Sequence, residues 1–479
     1  MSRATADRAT LWLRPRRWVG SWLLCGAAVL QTLALGGCAS AATEPEAASA
    51  AMRDESSRYI VLAVDNPLSS PGGRAGASLG SYGAAPRYVL GSRAAATLAA
   101  LAREHGLRET AGWPIVSLGW HCVVFELPAG AERGQVLAAL QADPRVRLAQ
   151  PLQEFDTQGA TGPGAPPPPA LPPSTSPTNS PGTPAATPTS PGAPTERVPY
   201  NDPYVDLQRS FLDMGAAQAH RISTGAGVRI AVVDTGAALN HPDLRGRILA
   251  TRDLVGEPAA RFEGDKHGTE VAGVIAAVGN NGEGIVGIAP QAGLEVFKAC
   301  WGRHATGGAE SPARCNSFTL AKALAGVLES NARIVNLSLG GPSDPLLEKL
   351  LGELLRQGRV IIGALPPDGR RGGFPTGVEG VLAVGVAGEL QSPADASVIA
   401  APGRDVLTLQ PGTGYDYASG SSIAAAHVSA VAALLLAADP RLDRLALSTL
   451  LQGASQGRVL DAGAALRTLS TRLATSRRS

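Results

Sequence analysis

A proline-rich stretch, residues 157–199, sets the terms for everything around it. Proline, threonine, serine, glycine and alanine dominate it. It holds too few large apolar side chains to bury a core, and its prolines favour extended polyproline conformations, so it reads as a semi-rigid, solvated tether open to proteolysis. Folded structure must therefore form separately before and after it. The 479 residues suffice for two or three domains, and a hydrophobic content of 44% is ordinary for globular protein. Lys and Arg total 42 against 40 Asp and Glu, a formal charge of +2 that gives no electrostatic reason to expect a nucleic-acid partner.

The chain opens with an address. Basic residues within Arg14–Arg17 precede the apolar run Trp18–Gly37, which no Asp, Glu, Lys or Arg interrupts. This is the pattern of a signal-peptide core, and no second membrane-spanning run is expected. The run ends in Leu35-Gly36-Gly37-Cys38, which resembles a bacterial lipoprotein lipobox. That resemblance implies removal of residues 1–37, acylation of Cys38 and an exported protein held to the membrane of the bacterial cell envelope or periplasm. Each buried methylene contributes about 0.8 kcal/mol, so several acyl chains on one residue anchor firmly. The alternative is a plain secretory signal in which Cys38 is incidental.

After a short tether at 38–57, residues 58–156 alternate between strand-like and helix-like composition. Tyr59–Val64, Cys122–Leu127 and Val146–Phe155 are strand candidates, and Ala94–Glu104 and Arg133–Ala142 are helix candidates, giving β-α-β-α-β and a small α+β domain. From 200 to 470 the apolar segments Arg229–Val233, Ile334–Leu339 and Val381–Val386 alternate with helical stretches. Continuous apolar strands flanked by helices are buried on both faces, which predicts an α/β domain with a mostly parallel sheet. Residues 471–479 form a tail.

Three local motifs carry chemistry. Val232-Val233-Asp234-Thr235-Gly236 ends an apolar strand in an acid; His267-Gly268-Thr269 opens a helix-like run; and Gly420-Ser421-Ser422-Ile423-Ala424 starts an apolar helix with a serine. A serine hydroxyl is a poor nucleophile until an imidazole accepts its proton, and the imidazole needs a carboxylate on its other nitrogen. Taken singly, each residue is as well explained as a turn, a structural histidine or a helix cap. His427, inside the serine helix, is a rival histidine. The order Asp, His, Ser is that of subtilisins rather than of chymotrypsins or α/β-hydrolases. With these motifs the chain is similar to the subtilase family of serine endopeptidases.

That resemblance implies a three-layer subtilisin-like fold, with Ser422 as nucleophile, His267 as base then acid, and Asp234 as orienting carboxylate. Leu239-Asn240-His241-Pro242-Asp243-Leu244, Val286-Gly287-Ile288-Ala289-Pro290 and Asn336-Leu337-Ser338-Leu339-Gly340-Gly341 extend it over most of 200–470. By the same analogy Ser338, Leu339 and Gly340 bind an extended protein or peptide substrate through their backbone. Leu140-Gln141-Ala142-Asp143-Pro144-Arg145-Val146 resembles the end of a subtilase inhibitor prodomain, which implies that the small domain is an internal partner; the alternative is an unrelated α+β accessory domain. A cut in 157–199 would then leave this prodomain at the membrane and free the protease. The reaction requires no cofactor; Asp243 and Asn281 match positions that hold a structural calcium in some subtilases, although the loop here is one residue longer, with a solvated loop as the alternative.

The chain also departs from the family. Subtilases carry an asparagine whose side chain donates to the oxyanion, and the ungapped segment GRVIIGALPPDG, 358–369, puts Pro367 there. Loss of one such donor costs about 10²–10³ in turnover. The backbone N–H of Ser422 remains, with the Ser421 hydroxyl as a candidate helper. Two functions therefore stay open, a protease of reduced rate and a pseudoprotease that binds extended peptides; an α/β esterase is disfavoured because Gly420-Ser421-Ser422-Ile423-Ala424 lacks the second glycine of Gly-x-Ser-x-Gly. Cys300 and Cys315 either close a disulfide worth roughly 3 kcal/mol in an oxidising compartment or remain buried thiols.

Overall fold

Strands with both faces apolar need a cover on each side, and the computed structural model provides it for two sheets at once. It describes residues 50–67, 90–159, 200–302, 311–390, 397–455 and 459–476, all within one unit, Thr43–Ser479. The expected signal segment, with Cys25 and Cys38, lies outside these residues.

The first domain runs β1 (Tyr59–Asp65), helix Ser92–His105, β2 (Arg108–Ile115), β3 (Trp120–Glu126), helix Arg133–Gln141 and β4 (Val146–Pro151). Its antiparallel sheet has the order β2-β3-β1-β4. The pattern is thus β-α-β-β-α-β, with one strand more than composition suggests. β2 escapes notice because it is an edge strand: its first residues are exposed or half-buried, and it contains Gly112 and Pro114, tolerated where one side of the ladder is free. Ile60, Leu62 and Val64 face Leu98, Leu101 and Leu140 of the domain's own helices. Tyr59, Val61, Ala63 and Cys122 face the other way, into a core shared with Phe318, Leu346 and Leu350.

Next comes β5 (Glu154–Thr157), set apart from β4 although the sequence reads as one strand. The large domain contributes β6 (Arg229–Asp234), β7 (Ile248–Asp253), β8 (Gly293–Lys298), β9 (Cys300–Trp301), β10 (Arg314–Asn316), β11 (Ile334–Leu337), β12 (Leu339–Gly340), β13 (Val360–Ala364), β14 (Leu382–Val386) and β15 (Ile399–Ala401), followed by the hairpin β16 (Val406–Leu409) and β17 (Tyr415–Ala418). Seven of these form a sheet ordered β15-β14-β13-β11-β6-β8-β7, with parallel pairing throughout. Side chains alternate across it: Ile230 and Val232 meet helices Lys266–Ala276 and Ser421–Ala438 on one face, while Ala231 and Val233 meet Ser317–Leu328 and Pro345–Arg356 on the other. This is the expected three-layer α/β arrangement. Ser421–Ala438 is long and apolar enough to cross a membrane by composition, yet 83% of it is buried as the central core helix.

The small domain's sheet covers the helices Ser317–Leu328 and Pro345–Arg356. Trp113 stands edge-on to Phe318 at 5.1 Å. At the seam, the Gln150 amide and the Ser317 hydroxyl donate to Asp344 Oδ2 at 2.7 and 2.6 Å, and Leu346 N–H donates back to Gln150 Oε1 at 3.0 Å. A buried carboxylate is tolerated because each oxygen meets donors.

Candidate active site

Parallel sheets collect reactive groups at the carboxyl ends of their strands. β6 ends in Asp234, whose side chain is buried; its Oδ1 accepts from Thr235 N–H at 2.7 Å and from His267 Nδ1 at 2.8 Å. Since a carboxylate only accepts, the proton sits on Nδ1 and leaves Nε2 as the basic nitrogen. Helix Lys266–Ala276 begins beside this strand because two glycines let backbone meet backbone: a Cβ on Gly268 would lie 2.0 Å from Gly236 O. Burial alone would pull the His267 imidazole down, but Asp234, then Glu270 and Asp265, raise it above its ordinary 6.5.

Ser422 sits in the first turn of Ser421–Ala438. Its carbonyl accepts from the Ser338 hydroxyl at 3.1 Å, which in turn accepts from the Asn336 amide at 2.9 Å; Asn336 Oδ1 receives the Ser429 hydroxyl at 2.8 Å. This buried chain braces the serine helix against β11. Among the described residues, Asp234 Oδ2, His267 Nε2 and Ser422 Oγ are buried without a hydrogen-bond partner. Unsatisfied buried groups are costly, and three of the seven such atoms among the described residues belong to this acid, histidine and serine.

What buries them is the chain itself. β5 lies between β10 and β12, antiparallel to both, pairing Phe155 with Cys315, Asp156 with Gly340 and Thr157 with Leu339. Thr157 N–H donates to Ala313 O at 2.9 Å, Gln158 N–H donates to Ser338 O at 3.0 Å, and Ser422 N–H donates to Gln158 O at 3.2 Å. Gly159 bridges to Gly420, and a Cβ on it would lie 3.7 Å from His267 Cδ2. The Gln158–Gly159 peptide bond therefore runs between the serine and the histidine. Residues 157–159, expected in the tether, belong to this ladder instead. Gly341 makes room for Phe155, whose ring stands edge-on to Phe374 at 5.5 Å; a Cβ on Gly341 would come within 2.4 Å of it.

Ser338, Leu339 and Gly340 thus line a groove that holds an extended strand. Of the occupant, Glu154–Gly159, the sequence placed Glu154 and Phe155 at the end of a strand and residues 157–159 in the tether. Two other expected site groups make contacts within the protein. Ser421 Oγ donates its one proton to Leu365 O at 2.5 Å, leaving none for an oxyanion. Asp243 accepts from Asn281 Nδ2 on Oδ1 at 2.8 Å and from Ile285 N–H on Oδ2 at 3.0 Å. Asn281 Oδ1 accepts from Glu283 N–H at 3.0 Å. Cys300 and Cys315 form a disulfide joining β9 to β10, whereas Cys122 is a buried free thiol that burial makes hard to ionise.

An acid, a histidine and a serine at the carboxyl edge of a covered parallel sheet, beside a groove for an extended chain, define an α/β serine hydrolase that acts on peptides. The chain belongs to the subtilase family, whose sequence profile matches residues 225–468. It is 32% identical over 244 residues to thermitase of Thermoactinomyces vulgaris, spanning 49% of this chain and 84% of that one. It is 33% identical over 228 residues to the major intracellular serine protease of Bacillus subtilis (strain 168), spanning 44% of this chain and 69% of that one. Fervidolysin from Fervidobacterium pennivorans, described as a keratinolytic enzyme related to subtilisin, shares the fold at 20% identity, with a TM-score of 0.62 over 85% of this chain and 60% of its own. Like its relatives, the protein is a serine endopeptidase by family.

Proposed function

We propose that the protein hydrolyses peptide bonds through Asp234, His267 and Ser422, and that its first substrate is its own Gln158–Gly159 bond. The observation that carries this reading is the hydrogen bond from Ser422 N–H to the Gln158 carbonyl, with Gly159 beside the His267 ring. Ser422 Oγ attacks the Gln158 carbonyl carbon as its proton passes to His267 Nε2, and Asp234 stabilises the imidazolium. The negative charge grows on an oxygen already bound by Ser422 N–H. Collapse breaks the C–N bond, His267 returns the proton to the departing Gly159 amine, and Gln158 remains as an ester on Ser422. Water, deprotonated by His267, then releases it.

The small domain, by this reading, is an inhibitory prodomain whose last strand occupies the groove until it is cut and leaves. With Cys38 acylated, the cut separates a membrane-held prodomain from a released protease in the cell envelope. A pseudoprotease is the second reading, favoured by Pro367, which has no donor, and by the engaged Ser421 hydroxyl. Fluorophosphonate labelling of wild type against Ser422→Ala, with N-terminal sequencing of the large fragment, separates the two. Labelling of wild type alone and a new terminus at Gly159 are expected. A folded wild-type protein that neither labels nor cuts itself would be the peptide-binding pseudoprotease.

A further inference from the structure

Lys298 is fully buried, and the acyl-transfer chemistry makes no use of its charge. A buried ammonium costs several kcal/mol unless well paired, so its partners indicate its purpose. It ends β8, with its Cα opposite that of Asp234. Its Nζ donates to Thr235 O at 2.6 Å and to Asp265 Oδ2, and lies 3.2 Å from Glu257 Oε2. Thr235 directly follows the catalytic acid, and its Oγ1 accepts from Gly268 N–H at 3.1 Å, next to the catalytic histidine.

Asp265 occupies the N-cap position of the histidine helix, where an aspartate ordinarily accepts from the helix's own N–H groups. Here its side chain caps nothing and is turned to Lys298 instead. Burial pushes the Asp265 carboxyl up to about 6 even with Lys298 pulling it down. Without the ammonium, the carboxylate loses the partner that draws it away from its own helix. Arg53 lies 3.8 Å from Glu257 at the outer end of this cluster.

We propose that Lys298 is a positioning residue: by holding the Thr235 carbonyl and the Asp265 carboxylate on one ammonium, it fixes the turn after Asp234 against the start of the His267 helix. This rests on the reading of Asp234, His267 and Ser422 as the working triad. Misplacement of a catalytic group by about 1 Å costs on the order of 10²-fold in rate, with no need to disturb the substrate ladder.

The test uses self-processed wild type, Lys298→Met, Lys298→Arg and Asp265→Asn, each counted by fluorophosphonate titration. The substrate is a peptide anilide copying Glu154–Gln158. Lys298→Met is expected to lower kcat roughly 10- to 100-fold with KM within about twofold, and Lys298→Arg to recover part of the loss. Asp265→Asn, which keeps the shape and removes the ion pair, is expected to lower kcat in the same direction; it decides the matter if Lys298→Met fails to fold. Unchanged kcat per titrated site in the variants, with only thermal stability reduced, would make Lys298 structural and overturn the proposal. A wild type that fluorophosphonate does not label overturns the triad reading first, and this inference with it.

Discussion

Gln158→Pro probes the pose of the self-cleavage bond directly. In the groove, Gln158 N–H donates to Ser338 O at 3.0 Å, a rung that proline cannot make. Ser338 is buried, so its carbonyl would be left without this donor. An unsatisfied buried group costs about 1–3 kcal/mol, and as the strand leaves the groove to escape that cost the cleavable fraction falls, slowing cleavage by up to about 5- to 150-fold at 1.36 kcal/mol per decade. Gln158→Ala keeps the N–H and should cut within a few-fold of wild type, separating loss of the rung from loss of the side chain. The assay is a time course of self-cleavage by gel electrophoresis, with sequencing of the large fragment. Unslowed cleavage of Gln158→Pro at the same bond, or a wild-type terminus other than Gly159, would refute the assignment.

His267 acts as a base only when neutral and its pKa lies above 6.5, so kcat/KM of the processed enzyme should rise with pH through a midpoint above that value. Asp234→Asn should lower kcat by about 10⁴ through the wrong tautomer, and a wild-type midpoint at or below 6.5 would count against the geometry. Replacing both Cys300 and Cys315 by serine should cost roughly 3 kcal/mol, the loop-entropy value for a separation of 15 residues, seen as a lower Tm that matches the reduced wild type. Asp243→Asn should cost about 1–3 kcal/mol by setting a donor against Ile285 N–H or Asn281 Nδ2, while a calcium chelator leaves the Tm of wild type unchanged; a chelator-dependent Tm would restore the metal.

Asp234, His267 and Ser422 could be read from sequence because each lies in a short motif that also shows the element carrying it. A strand ends at the acid, one helix begins at the histidine, and another begins at the serine. The parallel sheet was equally visible, since strands such as Leu382–Val386 are apolar on both faces and no periodicity is needed to see it. β2 was hidden because an edge strand is not required to be apolar. That Asn281 Nδ2 donates to Asp243 Oδ1 depends on which way an amide turns, which the residue letters do not fix. The Ser421 hydroxyl was likewise settled by the nearness of Leu365 O, from a segment far away in the chain.

Local sequence determined most of the elements and the chain order of Asp234, His267 and Ser422. Tertiary structure decided that Glu154–Gly159 lies in the groove, that Gln158 is the residue on Ser422 N–H, and that Lys298 joins the acid's turn to the histidine's helix. The physical reason is range. Helix and strand preferences are fixed by near neighbours, whereas a ladder between residues 158, 338 and 422 depends on loop closure and on which backbone groups remain unpaired once the two domains meet.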